Sequence, residues 1–543
     1  MKGNEYTGIY LNPGSDKFQT SLRSKIYVDK SILIGKMNEV LGTEQRYICV
    51  SRPRRFGKSM AANMLAAYYG CGEETDHLFQ NLAVHNLSSY VEHRNKYDVI
   101  MINMQDFLSK AKTVDEMLYL LQKRVIRELQ EAYQIEGMDT KHLDWAMQDI
   151  YHFIGRPFVV LIDEWDCLFR EYKHNSEEQK KYLNFLRDWL KDKAYIGLAY
   201  MTGILPIKKY GSHSALNVFS EYAMTNPGEL AEFFGFTESE VKDLCDQHDM
   251  DFEEIKAWYD GYKLGREKSS DYGNKDVSIY SPKSVVEAML HHDYQNYWNL
   301  TETYEALKIY IQMNFDGLKE AVVAMLAGGS INVNTRKFKN DMVSFSGKDD
   351  VLTLLVHLGY LTFDSNMKTV SIPNKEVSEE YMNAIDDIGW DGVMHSIMAS
   401  RRLLLSLWSL DADAVAEGVD HAHQEVSMLQ YNDENALSYT INLAFYAAKE
   451  YYTIIREMPS GRGFADICFI PRKLYIDKPA IIIELKWDKS AQGAIHQIKK
   501  KQYLAALDEY KGNLLLVGIN YNRENKEHEC MIEKVQYEAI FNK

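Results

Sequence analysis

Four apolar segments in the first 205 residues, RYICVSRP (46–53), DVIMINM (98–104), FVVLIDE (158–164) and YIGLAYMTGIL (195–205), alternate with stretches of helical periodicity. Segments that are apolar on both faces and separated by crossover helices confine this part of the chain to a parallel α/β layer. The first segment runs into Arg52-Pro53-Arg54-Arg55-Phe56-Gly57-Lys58-Ser59, and the helical run SMAANMLAAYYG follows. Strand, loop and helix in that order form the context in which a P-loop binds phosphate. Backbone amides from Arg55 through Phe56 and Gly57 to Ser59 would meet the phosphates at the helix N-terminus. Lys58 would reach the β- and γ-phosphates, and the Ser59 hydroxyl would ligate Mg²⁺. Arg52 stands where the first glycine of GxxxxGK[ST] is usual, so the loop must open its turn without it.

A GKS triplet alone is weak evidence. About a hundred residues on, Phe158-Val-Val-Leu-Ile-Asp163-Glu164 is an apolar strand ending in two acids. Asp163 would hold Mg²⁺ through water, and Glu164 would orient or deprotonate an attacking water. A buried strand ending in surface acids would look the same on its own, but both halves in the right order favour an ATP site. Thr202, at the end of the next strand, is a candidate for sensing the γ-phosphate. The same threonine would serve equally as a cap or a core residue. No arginine finger is assignable from sequence, although Arg54 and Arg55 lie beside the loop.

At the other end of the chain, GRGFADICFIP (461–471) and KPAIIIELKWD (478–488) read as strands carrying Asp466 and the Glu484-x-Lys486 pair. Side chains alternate along a strand, so Glu484 and Lys486 share a face and Leu485 points away. Antiparallel pairing would bring Asp466 beside Glu484. Two carboxylates suit a hard cation such as Mg²⁺, which would activate water against a phosphodiester. Lys486 would orient that water or stabilise the charged phosphate. E-x-K alone is a common surface pattern. Here apolar residues Ala480 to Ile483 precede the acid, so it ends a buried strand. Glu434, at the start of ENALSYTINLAFYAAKEYY, is a candidate third carboxylate, and Gln497 lies on the helical run AQGAIHQIKKKQYLAAL. Glu457 is a weaker candidate. Lys499, Lys500 and Lys501 suit phosphate contact and a solvated helix face equally well.

Tyr27-Val-Asp-Lys30, RPRRFGKS and FVVLIDEWD, followed in order by Trp258-Tyr-Asp-Gly-Tyr262, Ile279-Tyr-Ser-Pro282, Gly359-Tyr-Leu-Thr362 and Pro373-Asn-Lys-Glu376, resemble the prokaryotic AAA-ATPase-like family that ends in a PD-(D/E)XK nuclease domain. The resemblance covers most of the chain and includes the arginine at the first P-loop position. Glu434, Asp466, Glu484-x-Lys486 and Gln497 resemble the PD-(D/E)XK order, with Ala465 in place of the proline before the acid. The resemblance implies ATP binding with hydrolysis and a Mg²⁺-dependent nuclease.

The expected architecture is α/β, in three segments. Residues 1–209 form a P-loop ATPase domain with a parallel sheet, and residues 426–543 form a PD-(D/E)XK, restriction-endonuclease-like domain. Residues 210–425 form a helical connector in which LTLLVHLGYLTFDSNMKTVSIPN reads as a winged-helix-like helix and hairpin, favoured as a lid over a DNA-binding module. GELAEFFGFTESEVKDLCDQ is read there as helical. His291, His292, His421 and His423 are read as surface histidines, because neighbours two apart on a helix do not share a face.

The formal net charge of −16 argues against a chain that coats nucleic acid. The acidic load is uneven. Residues 426–543 hold 16 Lys and Arg against 15 Asp and Glu, which leaves 46 against 63 for the first 425. A neutral domain with a basic run can still hold a phosphate backbone. Nucleic acid is therefore the expected partner, DNA ahead of RNA, and oligomeric state stays open. The start MKGNEYTGIYL has no apolar signal region, no run approaches a membrane span, and six scattered cysteines suit a reducing compartment. These features together point to the cytoplasm. Three functions follow: an ATP-regulated nuclease, a nucleic-acid-binding switch with a silent nuclease-like domain, and an ATPase acting on a protein partner.

Overall fold

The structure is a computed structural model that describes residues 6–207, 216–265, 276–298, 304–313, 315–326, 328–339, 342–343, 345–388, 391–425, 440–441, 444–460, 463–472, 475–500 and 513–535. It divides into two compact units, one of residues 1–301 with 332–376, the other of residues 302–331 with 377–543.

The first unit is built on strands β1 (Tyr47–Ser51), β2 (Asp98–Asn103), β3 (Phe158–Asp163), β4 (Ile196–Gly203) and β5 (Ser220–Tyr222), in the order β2-β3-β4-β1-β5. Every pairing is parallel. β1, β3 and β4 are buried at every position, as helices on both faces of a parallel sheet require. β5 carries no long apolar run and is not apparent from the sequence. The helix Lys58–Tyr69 packs Leu65, Ala66, Tyr68 and Tyr69 into a core with Ile48, Val50, Val159, Leu161 and Tyr200. Because β4 lies between β1 and β3, it brings Thr202 to the junction of the P-loop with the acidic end of β3.

Residues 216–376 of this unit are less helical than their sequence pattern. GELAEFFGFTESEVKDLCDQ is a 3-10 turn (Gly228–Phe233), a short strand (Phe236–Thr237) and a helix (Glu238–His248). Gly235 at φ +94 breaks the run, and Thr237 and Glu240 form a capping box that starts the helix afresh. The strand joins Asp276–Tyr280 and Tyr262–Gly265 in an antiparallel sheet that the helical reading lacked. Helix Lys348–Leu358 leads into a hairpin of Thr362–Asp364 and Thr369–Ser371, with Asp364 accepting from the Asn366 and Met367 amides in the turn.

The second unit contains β6 (Tyr452–Ser460), β7 (Gly463–Pro471), β8 (Ala480–Trp487), β9 (Leu514–Asn522) and β10 (Glu527–Lys534), in sequential order. Only β8 and β9 run parallel, joined through the helix Ala491–Lys500. One face of the sheet, with Ile481, Ile483 and Leu485, packs on helical residues such as Leu404, Val419 and Phe445. The opposite face, with Ile482 and Leu516, packs on Ile495 and Ile498 of that helix. His423 is not a surface histidine as expected: its ring lies 5.3 Å from Tyr521 and 5.6 Å from His528, and burial lowers its pKa. His528 in turn meets Asp420 at 2.7 Å. Among the described residues no helix is long and apolar enough to cross a membrane.

Candidate functional sites

β1 ends where Pro53 removes a backbone donor from the ladder. The loop then turns through Arg55 at φ +64 and Gly57 at φ +87 into the helix Lys58–Tyr69. The Lys58 ammonium donates to the carbonyls of Arg52 (3.0 Å) and Pro53 (2.8 Å), spanning its own loop. Burial lowers the Lys58 pKa, partly opposed by Glu164, Asp163 and Asp166.

Asp163 ties the two halves of the site together. Its Oδ2 accepts from Ser59 Oγ at 2.6 Å, and its Oδ1 accepts from Thr202 Oγ1 and, at 3.0 Å, from the Glu164 amide. Glu164 takes φ +53, a left-handed conformation that costs a non-glycine residue about 1–3 kcal/mol and clusters at functional sites. Its carboxylate pairs with Arg170, whose Nε lies 3.6 Å from the fully buried Asp166. Asp166 also accepts from the amides of Ile204 and Leu205, at 3.1 and 2.8 Å. Arg170, six residues past Glu164, was not singled out from the sequence. A turn precedes its helix, so the pair has no helical spacing to betray it.

Arg52 is fully buried and resolves the departure from the usual P-loop. Its guanidinium donates to the carbonyls of Ser51 (2.9 Å), Tyr222 (2.7 Å) and Leu230 (3.4 Å), and burial pushes its pKa down to about 10. The residue replacing glycine thus fastens the start of the loop to β5.

A cavity of about 610 Å³ opens over the loop. Arg54, Arg55, Gly57, Lys58, Ser59 and Glu164 line its polar end, and Phe18, Ile26, Tyr27, Val28, Met64 and Val286 an apolar end. Lys30 closes one wall, bound to Glu240 at 2.6 Å and to the Glu232 carbonyl at 2.7 Å. A polyanionic end and an apolar end in one cleft suit a nucleotide. For Mg²⁺, the Ser59 hydroxyl and Asp163 carboxylate give the all-oxygen donor pair that the ion prefers.

In the second unit Asp466, Glu484, Lys486 and Gln497 come together. Ile467 lies opposite Ile483, and the Asp466 carboxylate accepts from the Leu485 amide at 2.7 Å, one residue from Glu484. Glu484 is 1% exposed and Lys486 8%. The Lys486 ammonium donates to Glu484 Oε1 at 2.9 Å and to the Leu485 carbonyl at 3.0 Å, and Gln497 donates to the same Oε1. Gln497 reaches that far because Gly518, paired with Glu484 across the sheet, lets the helix close in. A Cβ at Gly518 would lie 2.3 Å from the Ala491 carbonyl oxygen. Cys468 shows how dense the charge is: burial, then Asp466 and Glu484, push its thiol up to about 12.

Glu434 and Lys501 lie outside the described residues. Glu457 sits at a bulge in β6, where Arg456 faces Ile467 and Met458 faces Ala465. Lys499 pairs with Glu533. Among the described residues no three His, Cys, Asp or Glu side chains are grouped to hold a metal. The donor set on the page is therefore two carboxylates, Asp466 and Glu484, which fits a hard cation that keeps several waters.

Residues 14–212 match the model of a predicted AAA-ATPase family, and residues 433–530 match the PD-(D/E)XK nuclease superfamily. The chain joins an AAA-ATPase-like domain to a PD-(D/E)XK nuclease-superfamily domain. It is also 23% identical over 288 residues to an uncharacterized protein from the vnfD 5′ region of Azotobacter chroococcum mcd 1. That match covers 51% of each chain, so this chain spans about half the length of its curated relative. Two solved structures from Aeropyrum pernix are similar at low level. The ORC2 protein in ADPNP and ADP complexes has TM-score 0.28 and 11% identity, covering 67% of this chain and 97% of its own. The ORC1 protein in complex with DNA has TM-score 0.25 and 10% identity, covering 92% and 100%. At such scores neither carries an argument about this AAA-ATPase-like, PD-(D/E)XK chain.

Proposed function

We propose that the AAA-ATPase-like segment (1–209) binds and hydrolyses ATP with Mg²⁺, and that the PD-(D/E)XK segment (426–543) hydrolyses phosphodiester bonds in nucleic acid, DNA before RNA. Residues 210–425 serve as the connector. The observation that carries the reading is the meeting of Ser59, Asp163 and Thr202, which unites P-loop and acidic strand beneath a cleft with one polar and one apolar end.

In the first site Lys58 holds the β- and γ-phosphates, and amides from Arg55 to Ser59 cradle them. Ser59 and Asp163 would hold Mg²⁺, which neutralises phosphate charge when bound. Glu164 accepts the proton of the attacking water, and Thr202 keeps Asp163 oriented. In the second site Asp466 and Glu484 would hold Mg²⁺, whose chemistry is to lower the pKa of water and offset charge on the phosphodiester. Lys486 stabilises the developing negative charge, and Gln497 orients Glu484.

A second reading, a nucleic-acid-binding switch with a silent nuclease-like domain, is favoured by one feature. Glu484 is already bridged internally by Lys486 and Gln497. A cleavage assay on single- and double-stranded DNA and RNA with Mg²⁺ or Mn²⁺ separates the two, run with and without ATP beside an Asp466→Ala/Lys486→Ala variant. Cleavage that disappears in the variant supports the nuclease. ATP turnover with no cleavage under any condition supports the switch.

A further inference from the structure

The loop from Arg52 to Lys58 has a buried back and an open front. At the back, Arg52 is spent on three main-chain carbonyls. Phe56 is fully buried, its ring edge-on to Tyr262 at 5.3 Å, and its carbonyl accepts from the Gly235 amide at 3.2 Å. Pro53 packs beneath Gly359, where a Cβ would come within 2.9 Å of the proline ring. Gly359 takes φ +88 there, and its carbonyl accepts from the Tyr262 hydroxyl at 2.8 Å. Arg52, Pro53 and Phe56 are thereby locked. The two residues between them, Arg54 and Arg55, are exposed and line the cavity with Lys58, Ser59 and Glu164.

Arg55 also takes the left-handed conformation, at φ +64. Glycine is free of strain there, whereas a residue with a Cβ costs about 1–2 kcal/mol. An arginine at that place sets side-chain chemistry over backbone ease. The other cations lining this cavity have fixed partners. Lys30 pairs with Glu240, Lys283 with Glu287, and Lys58 caps the loop carbonyls. Arg170 is bound to Glu164 and Asp166.

We infer that Arg54 and Arg55 supply, from within the P-loop itself, the positive charge that offsets the terminal phosphate during hydrolysis, so that the site needs no arginine from a second subunit. This rests on the nucleotide reading above. In the step they serve, the water oxygen bonds to the γ-phosphorus as the bond to the β,γ-bridging oxygen breaks. ADP leaves with that electron pair, and the water proton passes to Glu164. Arginines supplied in this way stabilise charge that grows only as the bond breaks, so they act on turnover more than on binding.

The test uses the full chain with Arg54→Ala/Arg55→Ala and the conservative Arg54→Lys/Arg55→Lys variant. ATP and ADP affinities are measured by calorimetry, and single-turnover hydrolysis is followed over a hundredfold range of protein concentration. The wild-type rate per chain should not change with concentration. The double alanine variant should lose on the order of 10³-fold in hydrolysis, with ADP affinity little altered and partial recovery in the lysine variant. Hydrolysis by the alanine variant within about threefold of wild type, or a wild-type rate per chain that climbs with concentration, overturns the inference; so does wild-type binding without turnover. Failure of the wild type to bind ATP at all would instead remove the nucleotide reading beneath it.

Discussion

The two sites use the same ingredients, carboxylates and one lysine at strand ends, and assemble them by opposite means. At the nucleotide site Lys58 and Asp163 are more than a hundred residues apart, and each is held by other groups: the lysine by loop carbonyls, the aspartate by Ser59 and Thr202. At the nuclease-like site Glu484 and Lys486 are two residues apart on one strand and bind each other at 2.9 Å. The first arrangement keeps cation and anion separate, so a charged ligand can come between them. The second closes the pair on itself, so a ligand must compete with an internal ion pair.

The largest expected effect tests the separated arrangement. Lys58→Ala should lower ATP hydrolysis by about 10²–10³-fold, as loss of one preorganised charge donor typically does, while the thermal midpoint changes little. A collapse of stability with it would mean that Lys58 is chiefly a staple for its loop. The closed pair should behave in the reverse manner. Lys486→Met leaves Glu484 buried without its cation and should destabilise the second unit by about 3–5 kcal/mol in chemical denaturation. The Glu484→Gln/Lys486→Met double variant should recover most of that stability and no cleavage activity. Equal losses in single and double variants would show that the ion pair does not hold the site together.

Arg52→Gly, which restores the usual P-loop residue, should lower stability by about 2–5 kcal/mol. It strips donors from three carbonyls and leaves a cavity against β5. An unchanged or improved protein would make the buried arginine dispensable. The smallest effect is on pH. Burial holds the Lys58 pKa below its ordinary 10.5, so between the depressed value and 10.5 the unfolded chain binds more protons than the folded one. Stability of the free protein should therefore rise with pH through that window. ATP, which needs the ammonium charged, should bind more weakly there, by at most about tenfold per pH unit. Calorimetric affinities that stay flat across the window would take Lys58 away from the phosphates.

How much of this was legible in the sequence follows the same division. Glu484, Lys486 and the face they share follow from the period-two geometry of a strand, a rule that needs no tertiary contact. The apolar runs of β1 to β4 declare a buried parallel sheet for a similar reason, and Asp163-Glu164 and Gly57-Lys58-Ser59 mark strand and helix ends by local chemistry. The helical reading of 228–248 failed because Gly235 and the Thr237–Glu240 capping box reset the chain where periodicity alone continues. Three matters were decided only by the tertiary structure. Strand order put Thr202 on Asp163. The short strand β5 turned Arg52 from an apparent defect into an anchor. The bend after β3 delivered Arg170 to Glu164. Local sequence sets the conformation and outward face of each element, but the partner of a buried charge is set by which elements the hydrophobic core draws together.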